Sequence, residues 1–319
     1  MTIEHAVMQM HRKPWGSTDL LPWAAAPANG DAIGELWFER ADAAAPKSAL
    51  LLKLLFTAEP LSIQVHPDDD FARSIGLPNG KTEAWYILSA KPGAQVAVGL
   101  KHPLSSAELR ASIEGGSIAD KVQWRSVNNG DVILIPAGTI HAVGAGIVLA
   151  EIQQQSDATF RLFDYGRQRE LHVDHAVAVA KTGPAESQLP PHKLTEARTA
   201  LVVSPHFVLE QFDLPVNSIW TLDAPEETWV LVIGGHARIG LTNASLGDAI
   251  FVAADRAGIE TGDEGITGLL AYLGPNVNSS ALEQQSNIGT ITGPVSACAP
   301  STQTASEHLP PFAEQEAQT

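Results

Sequence analysis

Residues 62–70 read Ser62-Ile63-Gln64-Val65-His66-Pro67-Asp68-Asp69-Asp70 and alternate apolar with polar side chains before an acidic turn. A period of two predicts a β-strand whose apolar residues face one side and whose polar residues face the other. Gln64 and His66 then aim two neutral lone pairs at one point, while Pro67 and the acidic run end the strand. A polar strand face turned to solvent is the alternative interpretation.

The composition limits the classes of protein to which the chain can belong. Its 319 residues are 44% hydrophobic, which is enough for two domains or one large all-β body. A single cysteine, Cys298, excludes a disulfide framework and a cysteine-based zinc site and favours a reducing, cytoplasmic setting. We find no signal-peptide pattern and no apolar run of membrane-spanning length. The net charge of -16 argues against nucleic acids and anionic membranes as partners.

Most of the chain reads as short strands. Helical patterns are confined to residues 71–77, which Asp68 or Asp69 could cap, and to segments near 105–119 and 171–181. Strands are predicted at residues 34–38, 49–56, 62–66, 80–88, 95–99 and 130–165, and again through residues 200–274.

An internal repeat relates the two halves of the chain. Residues 228–235 echo residues 83–90, and residues 247–258 echo residues 130–141 with Gly258 in place of His141. The second copy therefore keeps the strand and turn pattern and lacks the histidine. Repeated short strands with turn signals predict two β-barrel or sandwich domains.

The domain boundaries follow from composition. A Pro-containing polar link near 183–192 separates a first domain, residues 1–182, from a second, residues 193–275. From residue 276 to residue 319 the chain is polar without periodicity, and it contains Cys298. We predict that this last segment is a disordered and dispensable tail.

Two motifs carry a resemblance to known proteins. The pattern Gly130-x5-Pro136-x-Gly138-x2-His141 resembles the second signature of the cupin superfamily. Residues 62–68, 80–83 and 136–142, with residues 153–161, are more specific and resemble the short bacterial form of type I mannose-6-phosphate isomerases. The resemblance implies a mostly β fold with two cupin-like β-barrel (jelly-roll) domains and short helical excursions. It further implies a catalytic first domain and a degenerate second domain without a metal site.

The resemblance also implies roles for individual residues. In that family one zinc ion per chain is held by a Gln, two His and a Glu, and the pocket carries a catalytic Arg, a Lys, a Ser and a Glu. Carried over, the metal ligands are Gln64, His66, Glu83 and His141, the catalytic residues are Arg161, Lys81 and Glu151, and the substrate-binding residues are Ser62, Lys81 and Arg161.

The chemistry of these residue types agrees with the implied activity, which interconverts mannose 6-phosphate and fructose 6-phosphate through an enediol or enediolate. Glu83 is the one charged ligand, so a divalent ion keeps a net positive charge that stabilises growing negative charge on sugar oxygens. Arg161 suits a phosphate or an anionic intermediate, because its planar fork is always charged. Glu151 is a candidate proton carrier, and a structural role for it stays open.

Two other functions remain possible for this pattern. Two histidines and a carboxylate on a cupin fold also describe a non-haem metal oxygenase, although Gln64 and Lys81 argue against it. A non-catalytic sugar-phosphate-binding protein is the second alternative. In each sugar-phosphate case the partner is a small molecule, and we expect a monomer or a weak homodimer.

Overall fold

The architecture is almost entirely β in the computed structural model, which describes residues 2–285. Over this range there are 21 strands and four helices. The strands are β1 Thr2–His5, β2 Val7–Ser17, β3 Ile33–Glu39, β4 Leu50–Thr57, β5 Ile63–Val65, β6 Glu83–Ala90, β7 Gln95–Leu100, β8 Val122–Ser126, β9 Val132–Ile135, β10 His141–Val143, β11 Ile147–Gln154, β12 Phe160–Phe163, β13 His192–Thr195, β14 Arg198–Val203, β15 Phe207–Leu214, β16 Ile219–Ala224, β17 Thr228–Ile239, β18 Thr242–Ser245, β19 Ala249–Ala253, β20 Asp255–Leu273 and β21 Leu282–Gln284. The helices are α1 Asp69–Ser74, α2 Ser106–Glu114, α3 Ile118–Lys121 and α4 Val173–Val179. Within the described range, no helix combines the length and apolarity that a bilayer crossing requires.

Three antiparallel sheets organise these strands. The first half of the chain forms a six-stranded sheet in the order β2-β3-β4-β11-β6-β9 and a five-stranded sheet in the order β12-β5-β10-β7-β8. A ten-stranded sheet holds β13 to β21 and also β1. Residues 2–5 pair with residues 250–253, so the chain begins in the sheet of the second half. The predicted first domain, residues 1–182, includes residues 2–5, and their pairing with the second half was not predicted.

Strand β4 shows how the sheets stack. All eight of its residues are buried, as expected for a strand that is covered on both faces. Leu52 and Leu54 pack in a cluster with Phe207 and Trp229 of the second half. Leu55, on the other face, joins a cluster that lies between the six- and five-stranded sheets. The apolar run predicted as a strand is therefore confirmed.

Strand β5 confirms the alternation that the sequence predicts. Ile63 and Val65 are buried in a cluster that includes residues of α2, α3 and α4. The polar face turns inward, towards the space between the two smaller sheets. After Pro67 the chain enters α1, where the Asp68 side chain accepts a hydrogen bond from the Phe71 N–H at 2.8 Å and caps the helix.

The repeat seen in the sequence reappears as strand register. Glu83 is paired with Ile135 between β6 and β9, and Thr228 is paired with Val252 between β17 and β19. The sequence repeat aligns Thr228 with Glu83 and Val252 with Ile135, so the paired residues are equivalent in the two halves. The two halves thus share a strand pairing although the second lacks the ligand side chains.

The predicted tail boundary at residue 276 is wrong, because packed structure continues to residue 285. Leu282 is buried, and β21 pairs with β16. The buried Arg198 guanidinium binds Glu210 through two contacts of 2.9 Å and also donates to the carbonyls of residues 278 and 279. The segment supplies acceptors to a buried cation, a long-range role that its polar composition does not reveal. The rest of the predicted tail, with Cys298, lies outside the described residues.

Ending the chain after Pro275 should destabilise the protein strongly. The truncation removes two acceptors of Arg198 and exposes the surface that Leu282 covers. Leaving a buried charge undercompensated costs about 3 kcal/mol or more, and about 1 kcal/mol shifts the melting temperature by about 2–4 °C in a domain of this size. Thermal denaturation should therefore show a fall of about 6 °C or more, whereas a chain ending after Gln285 should keep its midpoint. Equal midpoints for the two truncations would contradict this role.

Candidate metal centre and cavity

Three strand ends bring two histidines and a carboxylate together between the six- and five-stranded sheets. His66 follows β5 directly, while Glu83 and His141 are the first residues of β6 and β10. Their ligand atoms all lie within 4.8 Å of one another, and all three residues are buried. Glu83 Oε2 is 3.3 Å from His66 Nε2, and Glu83 Oε1 is 3.4 Å from His141 Nε2. The three predicted ligands therefore converge.

Backbone carbonyls fix the orientation of both imidazole rings. His66 Nδ1 lies 2.7 Å from the carbonyl oxygen of Ala158, and His141 Nδ1 lies 2.8 Å from that of Thr139. A carbonyl only accepts, so each Nδ1 carries the proton and donates it. Each Nε2 is left with a lone pair that points into the cluster, which is the usual arrangement of histidines that bind metals.

The cluster contains a polar atom that the protein itself does not satisfy. His66 Nε2 is buried without a hydrogen-bond partner within the described residues, whereas Glu83 Oε2 lies 3.0 Å from the Lys81 ammonium. Lone pairs that face a carboxylate repel it unless a cation lies between them. Two imidazole nitrogens and one carboxylate therefore fit a divalent ion, and zinc accepts this donor set.

The protonation states of the cluster suit metal binding. Burial, together with the charge of Lys81, lowers the pKa of His66 to about 3, and burial lowers the pKa of His141 as well. Burial alone would raise the pKa of Glu83, but the Lys81 ammonium holds it well below its usual range. Neutral imidazoles and an ionised carboxylate are the forms that bind metal ions.

Gln64, the fourth predicted ligand, lies beside this cluster. Its Nε2 is 3.3 Å from His141 Nε2, and its Oε1 accepts a hydrogen bond from the Ser62 hydroxyl at 3.1 Å. A half-turn of the amide exchanges its nitrogen and oxygen and presents the oxygen to the centre of the cluster. Ser62 therefore contacts the amide that would have to turn.

A cavity of about 210 Å³ adjoins the cluster. All the predicted residues for catalysis and substrate binding line it, and charged side chains dominate its wall. The lining consists of Lys13, Trp15, Glu35, Lys53, Leu55, Leu61, Ser62, Gln64, Lys81, Glu151, Asp157, Thr159, Arg161 and Arg169. The structure thus brings Ser62, Gln64, Lys81, Glu151 and Arg161 to one space.

Lys81 and Glu151 form the charged floor of the cavity. Lys81 Nζ is 3.9 Å from Glu151 Oε1 and 3.0 Å from Glu83 Oε2. Burial opposes the charge of Lys81, but the two carboxylates raise its pKa, so it remains an ammonium. Burial and the nearby Glu83 charge raise the pKa of Glu151. A carboxyl group with a raised pKa holds a proton more readily than an ordinary carboxyl group, so it is suited to accept a proton and return it.

Arg161 reaches the cavity from the neighbouring strand. It lies on β12, where its backbone pairs with Gln64 of β5. One guanidinium nitrogen donates to the carbonyl of Glu170 at 2.8 Å, whereas Nε is buried and has no hydrogen-bond partner in the part of the chain that the structure describes. Burial and the charge of Arg169 lower the pKa of Arg161. Cations crowded in this way favour an anionic ligand.

The buried charges of Lys53 and Glu35 at this site were missed by sequence reasoning. Lys53 Nζ lies 3.6 Å from Glu151 Oε1 and 3.9 Å from Glu35 Oε2, and it is almost fully buried. It also lies 4.3 Å from the centroid of the Trp37 ring. A signal was present, because a single lysine interrupts the apolar run 50–56, and a lysine is buried only where it finds partners.

Comparison with known proteins gives a consistent set of relatives. The chain is 35% identical over 198 residues to mannose-6-phosphate isomerase of Streptococcus mutans. The aligned region covers 60% of this chain and 62% of that protein. The chain is also 39% identical over 137 residues to a probable mannose-6-phosphate isomerase of Bacillus subtilis, and this alignment covers 41% of this chain and 43% of that protein. These alignments span less than two thirds of the curated relatives. No protein-family model matches the chain.

Solved structures extend the similarity to most of the fold. The mannose 6-phosphate isomerase of Bacillus subtilis superposes with a TM-score of 0.75 at 24% identity, over 86% of this chain and 100% of that chain. A variant of the phosphomannose isomerase of Salmonella typhimurium superposes with a TM-score of 0.67 at 16% identity, over 86% of this chain and 100% of that chain. The chain is thus similar in sequence to mannose-6-phosphate isomerases and has the fold of the solved ones, which confirms the resemblance that its motifs predict.

Proposed function

We propose that the protein is a metal-dependent aldose-ketose isomerase that interconverts mannose 6-phosphate and fructose 6-phosphate. The observation that carries the proposal is the buried cluster of His66, Glu83 and His141 at the edge of a cavity that Lys81 and Glu151 line. The four curated relatives are named mannose-6-phosphate isomerase, with or without a qualifier, and they support the proposal.

The same reasoning assigns the metal and the ligand. His66, Glu83 and His141 would hold one zinc ion per chain, with Gln64 as the fourth ligand. A bound ion would supply positive charge that stabilises the sugar oxygens as they gain negative charge. Arg161 provides a second centre of positive charge for the phosphate or for the anionic intermediate, and Ser62 contributes a hydroxyl to the same wall.

Glu151 would carry the proton between the two carbons. In the open-chain sugar its carboxylate takes the proton from C2 while a proton moves from O2 to O1, and it then returns a proton to C1. This sequence conserves atoms and passes through an enediol or enediolate. Lys81, 3.9 Å from Glu151 Oε1, would stabilise the growing charge on the sugar oxygens. Both side chains are buried, which strengthens their electrostatic interactions with a bound sugar.

The domain architecture, the cellular location and the oligomeric state are also part of the proposal. We propose that the two halves of the chain form two cupin-like jelly-roll domains, of which the second includes residues 2–5 and extends to residue 285, and that this second domain lacks a metal site. We also propose that the protein acts in the cytoplasm as a monomer or a weak homodimer, with a small sugar phosphate as its partner.

Product analysis in heavy water tests the reaction and separates it from its alternatives. Zinc-loaded protein should convert mannose 6-phosphate into fructose 6-phosphate, with some deuterium at C1 because the proton held by Glu151 can exchange. Proton NMR spectra identify the product and the position of the label. Binding of the sugar phosphate without isomerisation would instead indicate a binding protein. Oxygen consumption with Fe(II) and no isomer would indicate an oxygenase.

A further inference from the structure

The indole of Trp85 connects the metal cluster with the proposed proton carrier. Its Nε1–H is shared between Glu83 Oε1 at 3.1 Å and Glu151 Oε2 at 3.2 Å. Trp85 is 1% exposed, and it meets the His141 ring edge-on at 5.6 Å between centroids. One buried donor therefore touches a metal ligand and the cavity carboxylate at the same time.

The contacts of Glu151 divide between its two oxygens. Oε1 lies 3.6 Å from Lys53 Nζ and 3.9 Å from Lys81 Nζ, both beyond hydrogen-bond distance. Oε2 accepts the indole N–H of Trp85, the one hydrogen bond to this carboxylate within residues 2–285. The ammonium groups attract the carboxylate without defining its direction, whereas a hydrogen bond fixes it.

We propose that Trp85 is a positioning residue, whose shared indole N–H fixes Glu151 so that the free Oε1 edge faces the substrate carbons. This inference rests on the proposed isomerase function and extends it to a residue that contacts neither metal nor substrate. Proton transfer is sensitive to small errors of placement, so a residue that orients the carboxylate should affect the chemical step more than binding.

Two other tryptophans of this chain each donate the indole N–H to one glutamate instead of sharing it between two. Trp37 donates to Glu35 at 2.6 Å, and Trp229 donates to Glu227 at 3.1 Å. In each case the tryptophan lies on a strand, two residues after the glutamate, as Trp85 does after Glu83. The Trp229 indole serves one carboxylate and lies in the cluster shared with the second half. Trp229→Phe is therefore a control for loss of a buried indole N–H outside the cavity.

Trp85→Phe keeps a buried aromatic ring and removes the N–H, and it should slow the chemical step. Outer partners of metal and catalytic groups typically contribute about 10–100-fold to activity. At saturating zinc we expect full metal content, a kcat about 10–100-fold lower, a KM within a few-fold of wild type and a changed ratio of deuterium exchange to isomerisation. Trp229→Phe should keep the wild-type kcat and label ratio. An unchanged kcat and label ratio in Trp85→Phe would overturn the proposal.

A spectroscopic measurement tests the bond independently of turnover. The indole ¹⁵N–¹H resonance of Trp85 can be assigned by its absence in Trp85→Phe. It should shift in Glu151→Ala, while the Trp229 resonance stays in place. An unshifted Trp85 resonance would refute the contact even in an active enzyme. If wild-type protein forms no fructose 6-phosphate, the isomerase function fails and this resonance alone decides the role of Trp85.

Discussion

His66→Ala and His141→Ala are each expected to lose bound metal and isomerase activity together. Each substitution removes one of two imidazole lone pairs that converge with Glu83 in a buried site. A zinc site with one ligand fewer has a much lower affinity, and the remaining lone pairs and carboxylate cannot compensate in a desolvated pocket. Glu83→Gln should also bind metal more weakly, because a charged ligand becomes neutral.

Elemental analysis of the purified variants checks this prediction, with isomerase activity measured on the same samples. His236→Ala is a suitable control, because that half-exposed side chain lies in the second half of the chain, beside Asp263. The control should retain full metal and full activity. Full metal occupancy in either His66→Ala or His141→Ala would remove that residue from the proposed site.

Arg161→Ala is expected to lower kcat strongly while the metal content stays full. Arg161 lines the cavity but does not belong to the cluster of His66, Glu83 and His141. Removing one preorganised donor that stabilises transition-state charge typically costs about a hundredfold or more in rate. Arg161→Lys should recover only part of that loss, since a point charge cannot replace a planar fork.

Steady-state kinetics distinguishes the two roles that Arg161 could have. If it binds phosphate equally in the ground and transition states, KM should rise while kcat stays constant. Arg110→Ala is a matched control, because Arg110 lies on α2 and pairs with Asp174. Near-normal kcat and KM in Arg161→Ala would contradict both roles. The anion partner would then have to be sought among Lys81, Arg167 and Arg169, of which the last two are paired with Asp164.

Local patterns predicted much of the fold and of the candidate site. The alternation in residues 62–66 predicted the strand and the shared face of Gln64 and His66, and Asp68 was one of two residues predicted to cap the helix that follows. These features depend on neighbouring residues, so a single sequence contains them. The motifs that hold Glu83 and His141 were read from resemblance, and the structure places both beside His66.

Features that depend on distant pairings were not predicted. The ladder between β1 and β19 joins the start of the chain to its second half, and nothing in residues 2–5 specifies that partner. Lys53 was visible as a charge in an apolar run, but its contacts with Glu35 and Glu151 arise only when three strands assemble. Arg198 likewise needs the carbonyls of residues 278–279, which made a polar segment look like a tail.

Strand register reveals one relation that neither half shows alone. When the paired strands of the two halves are aligned, Glu210 is equivalent to Lys53, and Arg198 is equivalent to Glu35. Both halves thus bury an ion pair at the same place with the charges exchanged. In the first half the pair lines an open cavity, whereas in the second half the chain segment at residues 278–279 covers it.

The coupled assay of mannose 6-phosphate conversion to fructose 6-phosphate, before and after chelation, tests the central claim most directly. We predict turnover by the zinc-loaded protein, loss of turnover after the metal is removed, and recovery that saturates at one zinc ion per chain. Conversion at an unchanged rate by verified metal-free protein, or no conversion by fully loaded protein, would contradict the proposal.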